Sequence, residues 1–369
     1  MYLLVMIVLS AIAGGETFSP KVTLSSEAVV VYNYTTDHCP NGLERLSYDV
    51  ADGPPRTFRS PKNRLYLQFA SVGTGSRGQQ GAELDSLKHS CHVYCNSTRS
   101  MNTSLFSSHE MPFSPWVSEK DGVVYALTDM EFHNTTAGFG GICLYVATTL
   151  FKSTDGGLTF QHAAPAPAHV VAAMPYPPAN ESSVRRKPPY MPAFRAPGNI
   201  VQYQGYLYAT ISALWGPEPY GPQQQGVCIM RTADITDPAS WRGWNGKDFS
   251  ARMQAFWWEN PNPAEHSCKP VLPSVMTHST IFFSSVYKRY VILGTNHQMY
   301  FSFDLVNWSN ATHVQGETEA TGLYSFVIDP SQTGPNFQEV GDSADFYYVA
   351  SLGAWPAGRN VLRRSVHFA

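Results

Sequence analysis

At 369 residues the chain is long enough for two average domains or for one large all-β domain. Hydrophobic residues make up 43% of it and charged residues only 14%, which supplies a large core and excludes long, charge-rich surface helices. A formal charge of −3 leaves no electrostatic footprint for nucleic acid, and the one basic run, Arg185-Arg186-Lys187, reads as a solvated loop.

In chain order, residues 1–9 form an apolar run that ends in small residues, with Ala11-Ile12-Ala13 as a cleavage site. The run is too short to span a bilayer, and no other apolar run is long enough. A signal peptide over residues 1–13, a single mature domain over 14–369 and a secreted protein are therefore expected. Acceptor sequons at Asn33, Asn96, Asn102, Asn134, Asn180, Asn307 and Asn310 agree with export and glycosylation. So do six cysteines, which suggest disulfides in an oxidising compartment. Cys228 and Cys268, on neighbouring units, are expected to pair, and Cys91 and Cys95 to reach different partners. His89 and His92 beside those two lack a second ligand pair, so no metal site is expected.

Residues 21–34 read as a strand able to close a ring from the N-terminal side. Asp52-Gly53-Pro54-Pro55 precedes Arg56 and a first pair of strands, and residues 73–81 read as a glycine-rich loop. A second unit runs from Ser114 through Val123-Val124-Tyr125-Ala126-Leu127 to His133, then through residues 142–148. A proline-rich linker, 162–192, leads to a third unit over residues 194–241. A fourth covers 278–308 and a fifth 324–368. Strand, strand and aspartate-bearing hairpin recur, with Asp155, Asp234 and Asp304 roughly 70–80 residues apart, the mark of an internal repeat.

The best-formed hairpin is Ser153-Thr154-Asp155-Gly156-Gly157-Leu158-Thr159-Phe160. Asp155 can accept backbone N–H bonds across its own turn, the two glycines permit positive φ, and Phe160 folds back as an apolar plug. The stretch reads S-x-D-x-G-x-T-[WF] and resembles the Asp box (BNR repeat) of sialidase-like β-propellers. The unit pattern over residues 45–369 resembles five-bladed glycosidases of the arabinanase and xylosidase type. What the resemblance implies is an all-β, five-bladed propeller, with a six-bladed sialidase-type propeller as the alternative. It also implies a glycoside-hydrolase-like protein that acts on or binds a glycan in the central depression, as a monomer. A non-catalytic propeller that binds a glycan or a protein is the alternative, and a sialidase the third. Whether the site turns its ligand over stays open at this point. No cofactor is called for, and no motif supports a calcium ion at the axis.

Glycoside hydrolysis needs two carboxyl groups on opposite faces of the scissile bond, one of them with a raised pKa. Asp52, where the family's base would lie, is the candidate base. Glu131 is the candidate acid, on a strand whose period of two puts Asp129, Glu131 and His133 on one face. Glu110, in Ser108-His109-Glu110, is the alternative acid. Arg56, His133, Arg195 and Trp116 are candidate substrate-binding residues, Trp116 as a loop residue able to stack on sugar. Arg195-Ala196-Pro197 departs from the family, which would carry a carboxylate beside that proline. Phe194-Arg195-Ala196-Pro197 and Phe58-Arg59-Ser60-Pro61 each echo the F-R-I-P element of sialidases.

Overall fold

The computed structural model describes residues 18–39, 49, 51–69, 75–134, 142–179, 191–214, 222–272, 278–294, 297–316, 322–351 and 359–369. The expected signal peptide, the Asn180 sequon and the basic run lie outside these residues. Almost everything described is strand, turn or extended chain; the one α-helix is a single turn, Tyr34–Asp37. The composition foreshadows this, because frequent glycine and proline cut the chain into strands too short to need helical crossovers.

The strands form antiparallel meanders that follow one another along the chain. The first joins Arg56–Arg59, Leu65–Gln68, Gly75–Gly81 and Lys88–Asn96 in sequence order. The expected glycine-rich loop is therefore a strand. Glycine serves there because a Cβ on Gly78 would stand 2.3 Å from the Leu67 carbonyl oxygen. The second meander joins Glu110–Val117, Val124–His133 and Cys143–Ser153, with Gln161–His162 and Val170–Ala172 along its outer edge. The 162–192 stretch is thus partly built into the sheet. The third runs Ala193–Arg195, Tyr206–Leu214, Gly226–Thr232, Arg242–Trp244 and Phe249–Arg252, joined to the second through a parallel Ala193–Val146 pairing. The fourth contains Thr280–Ser284, Arg289–Leu293, Gln298–Ser302 and Thr312–His313. The last contains Leu323–Ile328, Ser343–Ser351 and Arg359–Phe368. Its outer edge is covered by Val22–Leu24 and Val29–Tyr32 from the N-terminal end. That pairing is the ring closure the sequence suggested, and it removes an open sheet edge.

The apolar core lies between meanders. Phe58 and Tyr94 of the first pack with Ala126, Phe151 and Phe160 of the second. Leu127 and Trp116 of the second pack with Ile211, Met230 and Trp241 of the third. Val227 and Ile229 meet Ile281 and Ile292, and Phe282 and Val291 meet Phe346 and Val366. Finally Phe326, Tyr347 and Val361 of the last meander meet Leu65 and Leu67 of the first. Each meander thus shares a core with the next, and the last with the first, so the sheets close into a ring. Trp116 belongs to this core: it lies in a strand, 6% exposed, and not in a loop where a sugar could reach it.

The innermost strands are stitched across the centre by polar contacts. Ser114 Oγ donates to the Pro197 and Gly198 carbonyls, Asn199 bonds both the N–H and the carbonyl of Ile281, and Thr280 Oγ1 donates to the Ser325 carbonyl. Arg56 is part of this stitching. It donates to Thr280 Oγ1 and to the Ser279 carbonyl, is 4% exposed, and is held down to a pKa of about 9 by burial. The expectation that it binds substrate fails because the strand turns its side chain into the packed centre.

The hairpin at Asp155 forms as its residues dictate. Asp155 Oδ1 accepts from the Leu158 and Thr159 N–H groups, and Oδ2 accepts from the Thr159 hydroxyl. Ser153 Oγ accepts from the Gly157 N–H, and Phe160 is buried against Tyr94. Asp304 makes the same kind of turn with Val306 and Asn307, and Asp234 with Thr236.

Candidate active site

At one rim of the ring the innermost strands bring together three carboxyl groups and two arginines. Asp52 leads into the Arg56–Arg59 strand; Asp129, Glu131 and His133 come from one face of Val124–His133, as the period of two requires. Arg195 ends the Ala193–Arg195 strand, Tyr324 lies in Leu323–Ile328, and Arg359 opens Arg359–Phe368. His109, Ala196, His278 and Tyr324 all have positive φ, at +43°, +51°, +65° and +57°. Left-handed backbone is strained for non-glycine residues, and these four stand at or beside inner strand ends.

Asp52 Oδ1 accepts from the Arg359 guanidinium at 2.8 Å and from the Tyr324 hydroxyl at 3.0 Å. Burial nevertheless raises its pKa, with the Glu131 charge adding to the rise and Arg359 opposing it. Asp129 is wholly buried; its Oδ1 accepts the Ala196 N–H at 2.9 Å, while Oδ2 has no hydrogen-bond partner. Burial pushes its pKa up to about 7, with Glu131 and Asp52 also raising it against the pull of Arg195. Glu131 goes the other way. Burial would raise it, but a 3.1 Å contact with His133 Nε2 and the Arg195 guanidinium at 3.8 Å hold its carboxyl below the usual range. The side chains of Asp52 and Glu131 keep 28% and 20% of their surface exposed, so a ligand at the rim can touch both.

The expectation that Glu131 carries the raised pKa is thus corrected: the raised carboxyls are Asp129 and Asp52. The reason is placement, since Glu131 alone has a histidine and an arginine against its carboxylate. His133 and Arg195 do join the cluster with Asp52 and Glu131. Glu110 does not. It pairs with Met130, so its side chain falls on the strand face opposite Asp129 and Glu131. There His162 Nε2 contacts both its oxygens at 2.9 and 3.0 Å, and Thr149 and Ser107 donate to them. Its carboxyl is held below the usual range by His162 and by His169, whose Nε2 lies 3.8 Å away, in spite of burial.

Sequence reasoning missed Tyr324, Arg359, His109 and His278. His278 packs on Tyr324, with ring centroids 4.7 Å apart, and burial and the surrounding arginines keep it neutral. No local pattern announced them, because they reach the rim from three meanders, His109 from the second, His278 from the fourth, and Tyr324 and Arg359 from the last.

Among described residues two disulfides form, Cys39–Cys91 and Cys228–Cys268. The second is the expected pair. Cys91 thus finds a partner, whereas Cys95 is buried and free, so the expectation that both reach partners holds for Cys91 and is corrected for Cys95. No helix among the described residues is long and apolar enough to cross a membrane.

No protein-family model matches the chain, and no curated protein matches it in sequence. Solved structures do match in shape. An α-L-arabinofuranosidase from Lactobacillus brevis aligns over 86% of this chain and 90% of its own, at 8% identity and a TM-score of 0.50. The catalytic domain of a Coprinopsis cinerea GH62 α-L-arabinofuranosidase aligns over 94% and 97%, at 8% identity and 0.49. A levansucrase of B. megaterium aligns over 90% and 87%, at 10% identity and 0.49. At such identities the likeness speaks for the fold alone: the chain has an all-β, propeller-type architecture.

Proposed function

We propose that the protein is a secreted, five-bladed propeller that acts on a carbohydrate at the axial rim as a glycoside hydrolase. The observation that carries this reading is the pair Asp52 and Glu131. They are two accessible carboxyl groups from different blades, held in opposite protonation tendencies around the buried Asp129. Opposed pKa values on neighbouring carboxyls are what acid–base cleavage of a glycosidic bond needs. In this reading Glu131 is the ionised base and Asp52 the proton donor, which those directions support and which reverses the roles expected from sequence. Asp129 acts as a positioning residue. Its bond to the Ala196 N–H puts a carboxylate beside Pro197, where the five-bladed pattern has one and this chain has Ala196. Arg195, Arg359 and Tyr324 supply donors for sugar hydroxyls. Each of the five meanders is one blade. Exposed sequons at Asn96, Asn102, Asn307 and Asn310 and the two disulfides support an extracellular location.

A second reading, a propeller that binds a glycan or protein without turnover, is favoured by one feature. Glu131 is already engaged by both His133 and Arg195. The sialidase reading ranks last, because Arg56 is committed to the core and leaves Arg195 and Arg359 as the arginines of this rim.

The test is a panel of aryl glycosides with wild type, Asp52→Ala and Glu131→Gln, alongside a glycan array. Turnover by wild type that falls by about 10²- to 10⁴-fold in both variants is expected. Array binding without turnover hands the site to the binding module. Absence of both in a folded protein defeats the carbohydrate reading.

A further inference from the structure

Beside Glu131 and His133 lies a thiol, Cys143, that glycan chemistry does not use. A bulge in the pairing between Phe132 and His133 sets His133 opposite Cys143 on the neighbouring strand. One ligand atom each of Glu131, His133 and Cys143 therefore lie within 4.8 Å of one another. Cys143 is partly exposed and forms no disulfide. Thiolate, imidazole and carboxylate are the donors zinc prefers, at bond lengths of about 2.0–2.3 Å, so a small inward movement would close the three around one ion.

A second observation points the same way. His109 is 5% exposed, its ring centroid lies 4.5 Å from that of His133, and its Nε2 has no hydrogen-bond partner. A buried polar atom left unpaired is destabilising. A water held by an ion next to His133 would satisfy it.

We propose that Glu131, His133 and Cys143 form a three-ligand site for a thiophilic divalent cation, zinc foremost, with the fourth position open toward the axis. Binding exchanges the Cys143 S–H bond for an S–metal bond and releases one proton to solvent; no electron moves. Thiolate and carboxylate together balance the charge of the ion. The ion also competes with Arg195 for Glu131. That last consequence, reversible zinc inhibition of turnover, rests on the glycan reading; the binding itself does not.

The cluster of Glu110, His162 and His169 also brings three donor atoms within 4.8 Å; it contains no thiol, so cobalt held there gives no thiolate charge-transfer band and the band reads Cys143 alone. Cobalt(II) is titrated into the full chain after chelator treatment, without any sugar present. The expected result is one equivalent bound, with a near-ultraviolet thiolate-to-cobalt charge-transfer band that added zinc abolishes. Cys143→Ser should lose the band and weaken binding at least about tenfold, while keeping the wild-type melting profile. Glu110→Gln should change neither. No stoichiometric binding, or binding that Cys143→Ser leaves intact, overturns the proposal. Because the readout needs no substrate, its failure is distinct from failure of the glycan reading.

Discussion

Asp129→Asn isolates the rim carboxyl that is wholly buried. The substitution keeps the oxygen that accepts the Ala196 N–H and replaces the unpartnered Oδ2 by an amide, the nearest neutral equivalent of the protonated acid. Folding raises the Asp129 pKa from 3.8 to about 7, mainly through burial. Well below pH 3.8 the acid is protonated in both folded and unfolded chains, so variant and wild type should be equally stable there. As pH rises from 4 to 7 the unfolded chain releases its proton and the folded one holds it, so wild-type stability falls relative to the variant. Above 7 the full difference is reached. At 1.36 kcal/mol per pH unit it is on the order of 4 kcal/mol. With an unfolding entropy of about 2.1 cal/mol/K per residue over the chain, that corresponds to about 5 °C in Tm. Urea unfolding of both proteins at half-unit steps from pH 4 to pH 8 measures the gap directly. Groups that titrate in both proteins and do not interact with Asp129 cancel from it; Asp52 and Glu131, which do, add to the gap. Parallel stability curves across that range would refute the claim that Asp129 is buried against its charge.

Two stability predictions concern the frame that holds the rim. Gly157 sits at φ +96°, and a Cβ there would come within 2.4 Å of the Phe58 ring, whereas Gly205, at φ +78°, has open space around it. Gly157→Ala should therefore cost about 1–3 kcal/mol more than Gly205→Ala in denaturant unfolding, and equal costs would contradict the packing of this turn. The Cys228–Cys268 bridge spans a sequence separation of 40, so Cys228→Ser should lower stability by up to about 4 kcal/mol. Free thiol at either cysteine in non-reduced peptide maps of wild type would remove the basis for that loss.

What the sequence determined by itself is everything that rests on neighbours in the chain. The Asp155 turn is built from hydrogen bonds between residues no more than four apart, so eight residues suffice to read it. The shared face of Asp129, Glu131 and His133 follows from strand geometry alone. The repeat of short strands and the closing N-terminal segment follow from patterning and the need to cover an edge. The tertiary structure decided what depends on partners far along the chain. Tyr324 and Arg359 reach Asp52 across 272 and 307 residues, and no spacing rule connects them. Strand alternation tells which residues share a face, but not which face meets a neighbouring blade and which the axis. For that reason Trp116 and Arg56 turned out to be core, and Glu110 lay on the opposite side from Glu131. Protonation was equally out of reach. Asp129 and Glu131 are two residues apart, yet one is buried with an unpaired oxygen while the other meets Arg195 and His133, and only that difference in surroundings drives their pKa values in opposite directions.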